Sequence, residues 1–122
     1  MVLVDSCVWI DHLRNKDDVL SRLLINGQVC IHPMIIGELA CGNLRNRLSV
    51  IKLWQSLPHA NQATHQEALH CLDKHSLFGK GIGFIDLHLL ASTLLSTNTF
   101  LWTNDRRLKN IADGLKLSFC LH

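Results

Sequence analysis

The sequence predicts an α/β domain built on a mostly parallel sheet. Short apolar runs without alternation, Val2-Leu3-Val4 first among them, read as strands buried on both faces. Segments with helical apolar spacing lie between those runs. Turn signals at Gly27, Pro33, Pro58 and Gly114 separate the two kinds of segment. At 122 residues the chain is one domain.

After Val2-Leu3-Val4, Ser6 caps a helix running to about Arg14. Asp17 and Asp18 open a second helix, where acids favour the positive end of the dipole. Val19, Leu20, Leu23 and Leu24 give it an apolar face, and Gly27 ends it. Val29 to His32 is a second strand. Pro33 suits the first turn of the next helix, which carries Glu38 and stops near Gly42. Arg47 to Leu57 is helical until Pro58, and His59 to Asn61 suits a short strand. Thr64 begins a helix to about Leu77, with Thr64 and Glu67 forming a capping box. Phe78 to Gly83 is a glycine-rich loop, followed by a long helix from Phe84 to Ser96. Phe100 to Thr103 is a strand, Arg106 to Ala112 a helix closed by Gly114, and Leu117 to Phe119 a last strand. In such sheets the site lies at the carboxyl ends of the strands.

Composition narrows the class. With 48% apolar residues the chain folds, and no low-complexity segment or repeat interrupts it. A net charge of +2 points only weakly to nucleic acid. The five cysteines are odd in number, scattered and set in apolar context, which suits reduced core thiols. No charged leader precedes the first strand, so no signal peptide is expected. The apolar stretch from Ile82 to Leu95 carries Asp86, His88 and Ser92, too polar to span a bilayer. The expectation is a soluble, cytoplasmic protein.

The most informative residues are four of the ten acids. Asp5 follows the first strand. Glu38 lies among Met34, Ile35, Cys41 and Gly42. Asp86 interrupts Ile82-Gly83-Phe84-Ile85-Asp86-Leu87, and Asp105 closes Phe100 to Asp105. Buried carboxylates are costly unless something positive neutralises them. No Lys or Arg lies near the first three, so a metal ion is the natural partner. Oxygen-only ligands favour Mg²⁺ or Mn²⁺ over zinc, and water on such an ion can hydrolyse a phosphodiester. Each acid alone also has an ordinary reading: Asp5 and Asp105 as helix caps, Asp86 as a first-turn acid. A fold gathers four like charges only if a cation holds them.

Other polar residues read more plainly. Asp17, Asp18 and Glu67 belong to helix starts, and Asp11, Asp73 and Asp113 to solvated faces. His12 and His88 read as satisfied helix residues. Cys71 and His75 have a spacing zinc can use, but no second half-site accompanies them. Trp9, Trp54 and Trp102 lie on apolar faces. The glycines of Gly79-Lys80-Gly81-Ile82-Gly83 lack the Gly-Lys-Ser/Thr ending of a P-loop.

Four segments together resemble the PIN-domain family, and within it the VapC-type toxins of bacterial toxin–antitoxin pairs. MVLVDSCVWIDHLR looks like the family's opening strand, acid and amphipathic helix. CIHPMIIGELACG resembles its second motif, GIGFIDLHLLAS its third, and FLWTNDRRLKNIADGLKL its fourth. The match spans essentially the whole chain, in order. It implies a three-layer fold whose central sheet has four to five short strands flanked by helices. It also implies a Mg²⁺- or Mn²⁺-dependent endoribonuclease with Asp5, Glu38, Asp86 and Asp105 as the catalytic, metal-binding acids. Thr103 would orient an acid or a metal-bound water, and Ser6 would hold the first carboxylate. The implied reaction is attack of metal-activated water on RNA, leaving a 5′-phosphate and a 3′-hydroxyl. One departure stands out: where many relatives carry a further Asp, this chain has Arg107. Asp5, Glu38 and Asp86 are then the firm ligands and Asp105 the weaker corner. Lys80, Arg106 and Arg107 are candidates for gripping RNA phosphate. The resemblance further implies a homodimer and a small antitoxin with a DNA-binding domain, whose C-terminal segment covers the pocket. The RNA target would be tRNA or ribosomal RNA.

Three other readings fit these residues less well. A receiver-like phosphoacceptor needs paired acids after its first strand and a lysine ending a late one. Here Asp5 is single and the late strand ends Thr103-Asn104-Asp105. A dehalogenase-type phosphatase needs Asp-x-Asp, which Asp5-Ser6-Cys7 lacks. A non-catalytic RNA-binding relative would have lost acids that this chain retains.

Overall fold

The computed structural model describes residues 1–120. Its elements run β1 (Val2–Val4), α1 (Ser6–Arg14), α2 (Asp18–Ile25), β2 (Val29–Cys30), α3 (Pro33–Ala40), α4 (Arg47–Ser56), α5 (His65–Lys74), α6 (Phe84–Leu95), β3 (Phe100–Trp102) and α7 (Arg106–Gly114). The sheet is parallel, in the order β2-β1-β3. Val2 sits opposite Val29 on one side and Phe100 on the other. A central parallel strand faces protein on both sides, so Val2, Leu3 and Val4 are all buried.

Among the described residues the sheet has three strands where four to five were expected. His59 and Ser118 do pair in parallel with Ile31 and Leu101, but as single bridges at the two edges. At the first edge, Ile31 N–H donates to Pro58 O and Ala60 N–H to Ile31 O. Asn61 then leaves the edge, because Ser96 Oγ and Leu95 O bind its backbone and side-chain amides at 2.9 Å each. At the other edge, among the described residues, only the backbone groups of Leu101 are engaged, by Leu117 and Phe119.

The helix starts follow local chemistry. Asp5, not Ser6, caps α1, accepting from Ser6 N–H. Asp17 caps α2. His32 leaves the second strand in extended conformation and caps α3 through Nδ1, with Pro33 in the first turn. The Thr64–Glu67 capping box forms in both directions, at 2.9 and 3.1 Å. Gly27 has a φ of 66°, as a helix-ending glycine should. Gly114 does not play that part; α7 runs through it, and Lys116, with a φ of 60°, makes the left-handed turn instead.

One core holds the helices to the sheet. Leu3, Val4 and Leu101 meet Val8, Ile31, Ile35, Leu89 and Leu90, all at most 1% exposed. Each such aliphatic side chain contributes roughly 1.5–3 kcal/mol by leaving water. Trp9 and Trp54 pack edge to face with ring centroids 5.9 Å apart, tying α1 to α4. Trp102 is only partly buried and lies against Phe119. Among the described residues, no helix is long and apolar enough to cross a membrane.

Candidate active site

The carboxyl ends of β1 and β3 lie side by side, where Asp5 N–H donates to Trp102 O at 2.9 Å. This pairing brings the residues after both strands together. Asp5 is 5% exposed. Its Oδ1 accepts from Ser6 N–H at 2.8 Å. Its Oδ2 accepts from Thr103 Oγ1 at 2.7 Å, with the Cys7 thiol at 3.7 Å. Thr103, itself buried, accepts from Asp105 N–H at 3.1 Å. One hydroxyl therefore joins the first and last acids.

Asp105 caps α7, its Oδ1 accepting from Leu108 N–H at 3.0 Å. Asp86 stands in the first turn of α6, its Oδ2 accepting from Gly83 N–H at 3.3 Å. Among the described residues the second oxygen of each has no protein partner. Glu38 projects from the end of α3, where Ser6 Oγ meets Oε1 at a long 3.5 Å.

The expectation of four buried carboxylates is corrected. Asp5 is buried, Asp86 half-buried, and Glu38 and Asp105 are exposed. On α3 the core-facing pair is Ile35 and Leu39, so Glu38 falls at the margin of that face despite its apolar neighbours.

The four acids nonetheless share one electrostatic neighbourhood. Partial desolvation pushes the Glu38 carboxyl above its ordinary value, and the charges of Asp5 and Asp86 push it further, against the Ser6 hydrogen bond. Desolvation also raises Asp86; Gly83 N–H opposes this, while Asp5 and Asp105 add to it. Desolvation raises the Cys7 thiol too, so it remains a neutral donor beside Asp5.

This set suits a hard divalent cation in donor chemistry: all the candidate donors are oxygens, and the like charges are mutually unfavourable without a cation. Among the described residues no three His, Cys, Asp or Glu side chains close into a ready ligand shell. Mg²⁺ tolerates that arrangement, since it binds through few carboxylates and keeps several waters.

The basic candidates sit at the rim. Lys80, Arg106 and Arg107 are exposed. Arg107 lies over the glycine-rich loop, Nη1 reaching Gly81 O at 3.5 Å. Two neighbours escaped the sequence reading. Cys7 touches both Asp5 and Thr103, and its sulfur accepts Asn104 N–H at 3.4 Å. Asn104 Nδ2 in turn binds Asp11, read as merely solvated. Only the i+2 spacing of Cys7 from Asp5 hinted at its position. His12 is satisfied, accepting Asp17 N–H at 2.9 Å. His88 is not: it is 4% exposed, and its Nδ1 is buried without a partner.

A grouping of acids beside the carboxyl ends of a parallel sheet suits a metal-dependent hydrolase. The PIN-domain family model matches residues 2–114. The chain is also 41% identical over 109 residues to Ribonuclease VapC32 of Mycobacterium tuberculosis strain CDC 1551 / Oshkosh, covering 89% of this chain and 88% of that protein. The same values hold for Ribonuclease VapC32 of strain ATCC 25618 / H37Rv. The chain belongs to the PIN-domain family.

Proposed function

We propose that this protein is a divalent-metal-dependent endoribonuclease, the toxin of a toxin–antitoxin pair. The observation that supports the reading is the Thr103 hydroxyl that joins Asp5 to Asp105, with Glu38 and Asp86 close enough that, after desolvation, the charge of Asp5 raises both their carboxyl pKa values. Its relationship to two proteins named ribonucleases supports the same reaction class.

Asp5, Glu38 and Asp86 are the residues that would hold Mg²⁺ or Mn²⁺, with Asp105 as a fourth corner. When bound, such an ion neutralises the carboxylates, lowers the pKa of water and stabilises charge on phosphate. The chain's own part is positioning. Thr103 and Ser6 N–H fix the two oxygens of Asp5. Backbone N–H groups fix one oxygen each of Asp86 and Asp105, leaving the other without a protein partner among the described residues. Glu38 reaches in on a longer arm from α3, steadied by Ser6. Water adds to phosphorus, the bond to the 3′-oxygen breaks, and the products carry a 5′-phosphate and a 3′-hydroxyl. Arg106 grips substrate phosphate at the rim.

The partners follow the same reading. A groove of about 660 Å³ runs from Glu38 past Ile10, Leu13, Leu39, Leu44 and Val50, with Arg14 and Arg45 also in its lining. It suits an apolar antitoxin segment whose terminal Arg or Lys enters the acidic pocket. That antitoxin carries a DNA-binding domain. Exposed Leu69, Phe84, Ile85, Leu94 and Leu95 on α5 and α6 support a homodimer. The setting is the cytoplasm, and the substrate a tRNA or ribosomal RNA.

The test is to incubate purified protein with total RNA and Mn²⁺ and to map the new 5′ ends. Cleavage that chelator and Asp5→Asn both abolish is the expected result. Cleavage that survives both would end the assignment.

A further inference from the structure

A cavity of about 430 Å³ opens between α7 and the loop leading into α6. That volume is in the range of small-molecule sites. Its polar lining comes from Lys80, Arg107, His75 and Asn110, and its apolar lining includes Ile111 and Leu115. No carboxylate lines it, in contrast to the acidic site nearby. The two segments forming its walls also deliver the acids: Lys80 lies in the loop before Asp86, and Arg107 lies two residues after Asp105.

The position of Arg107 is built into the loop. Gly81 has a φ of 78°, which other residues adopt only under strain. A Cβ there would come within 2.6 Å of Arg107 Nη1 and 3.0 Å of its Cδ. The bare glycine lets the arginine lie across the loop toward Gly81 O, beside the cavity. A planar guanidinium and an ammonium flanking one cavity suit a phosphate group. His75 and Asn110 add hydrogen-bonding groups, and Ile111 and Leu115 an apolar surface for a ribose or base.

We propose that this cavity is an RNA subsite, holding a nucleotide that flanks the cleaved bond. Lys80 and Arg107 neutralise its phosphate, and His75 and Asn110 contact its sugar or base. The subsite rests on the ribonuclease reading and adds to it how the strand is placed across the acids.

The test measures fluorescence anisotropy of a labelled, random-sequence single-stranded RNA pool on the Asp5→Asn protein, which binds without cutting. Adding Lys80→Ala and Arg107→Ala should weaken binding at least tenfold. It should also flatten the dependence of log affinity on log salt by about 0.7, the value for one single-strand phosphate. Asn110→Ala should weaken binding without changing that slope. In the cleaving protein the same changes should fall on KM and not on kcat. Arg22→Ala removes an exposed cation outside the cavity and serves as the control for overall charge. All these variants should retain the parent's Tm, since Lys80, Arg107 and Asn110 are exposed. Unchanged affinity and slope in the double variant, or an equal loss with Arg22→Ala, would overturn the subsite while leaving the nuclease intact. A wild-type protein that neither binds nor cuts RNA would remove both readings.

Discussion

Thr103 Oγ1 donates to Asp5 Oδ2 at 2.7 Å, joining residues 98 positions apart in the chain. The same oxygen accepts the backbone N–H of Asp105. A threonine at the end of β3 therefore sets the rotamer of an acid at the end of β1 and the start of the helix that presents another.

Thr103→Val keeps the shape and removes both bonds. Asp105 N–H and Asp5 Oδ2 each lose a partner, and leaving such groups unpaired costs roughly 1–3 kcal/mol. Cleavage should fall about 10–100-fold, the usual cost of losing a group that orients a metal ligand. Thr103→Ser should restore most of both losses. A valine variant with wild-type kcat/KM in an RNA cleavage assay would show that the bond has no part in catalysis.

Asp5→Asn separates charge from structure. Asparagine caps helices as well as aspartate does, so α1 keeps its Ser6 N–H bond and the fold survives. Cleavage should fall by at least about a hundredfold, the scale expected for losing a charged group at the reacting centre. Binding to the native state alone raises its stability. Millimolar Mn²⁺ should therefore raise the wild-type Tm and raise it less in the variant. Equal metal-induced shifts in the two proteins would remove Asp5 from the ligand set.

Much of this arrangement could be read from residues whose chemistry is local. Pro33, Gly27 and the Thr64–Glu67 pair mark ends that need no distant contact. Asp5, Asp86 and Asp105 stand at element starts, so the topology alone carries them to one edge of the sheet. What depends on a distant partner was illegible. His59 to Asn61 fails to extend as a strand because the end of α6 captures Asn61. The exposure of Glu38 depends on which side of α3 meets the core, and its apolar neighbours in sequence gave the wrong answer. Cys7 reaches the site only because β1 and β3 are paired.

Glu38 and Asp86 should make the metal-free protein less stable at neutral pH. Both have folded pKa values raised above their ordinary ones, by desolvation first and then by neighbouring acids. For such a group the stabilising contribution is full below the unfolded pKa and is lost as pH rises through the folded one. Glu38→Gln should therefore raise the metal-free Tm at pH 7, and the advantage should vanish near about pH 4, where both proteins are neutral at this position. Thermal melts in chelator across that range decide it. A variant that melts lower than wild type at pH 7 would contradict the repulsion.

His32 should impose the opposite trend. It is 3% exposed, caps α3 through Nδ1 and meets Ser92 Oγ through Nε2 at 3.2 Å. Burial, then the neighbouring His88 and His59, lowers its pKa from 6.5 to about 4. The unfolded chain thus takes up a proton here while the folded one resists. The resulting stability is present above about 6.5 and is lost as pH falls toward about 4, roughly 3 kcal/mol in all. His32→Asn keeps a capping side chain without the titration, although it gives up the Ser92 contact. Its unfolding free energy should start lower at pH 7 and decline less on acidification. Both proteins carry the same carboxylates, so the difference between their urea-unfolding curves isolates the histidine. Parallel declines from pH 7 to pH 5 would show that His32 does not resist protonation in the folded state.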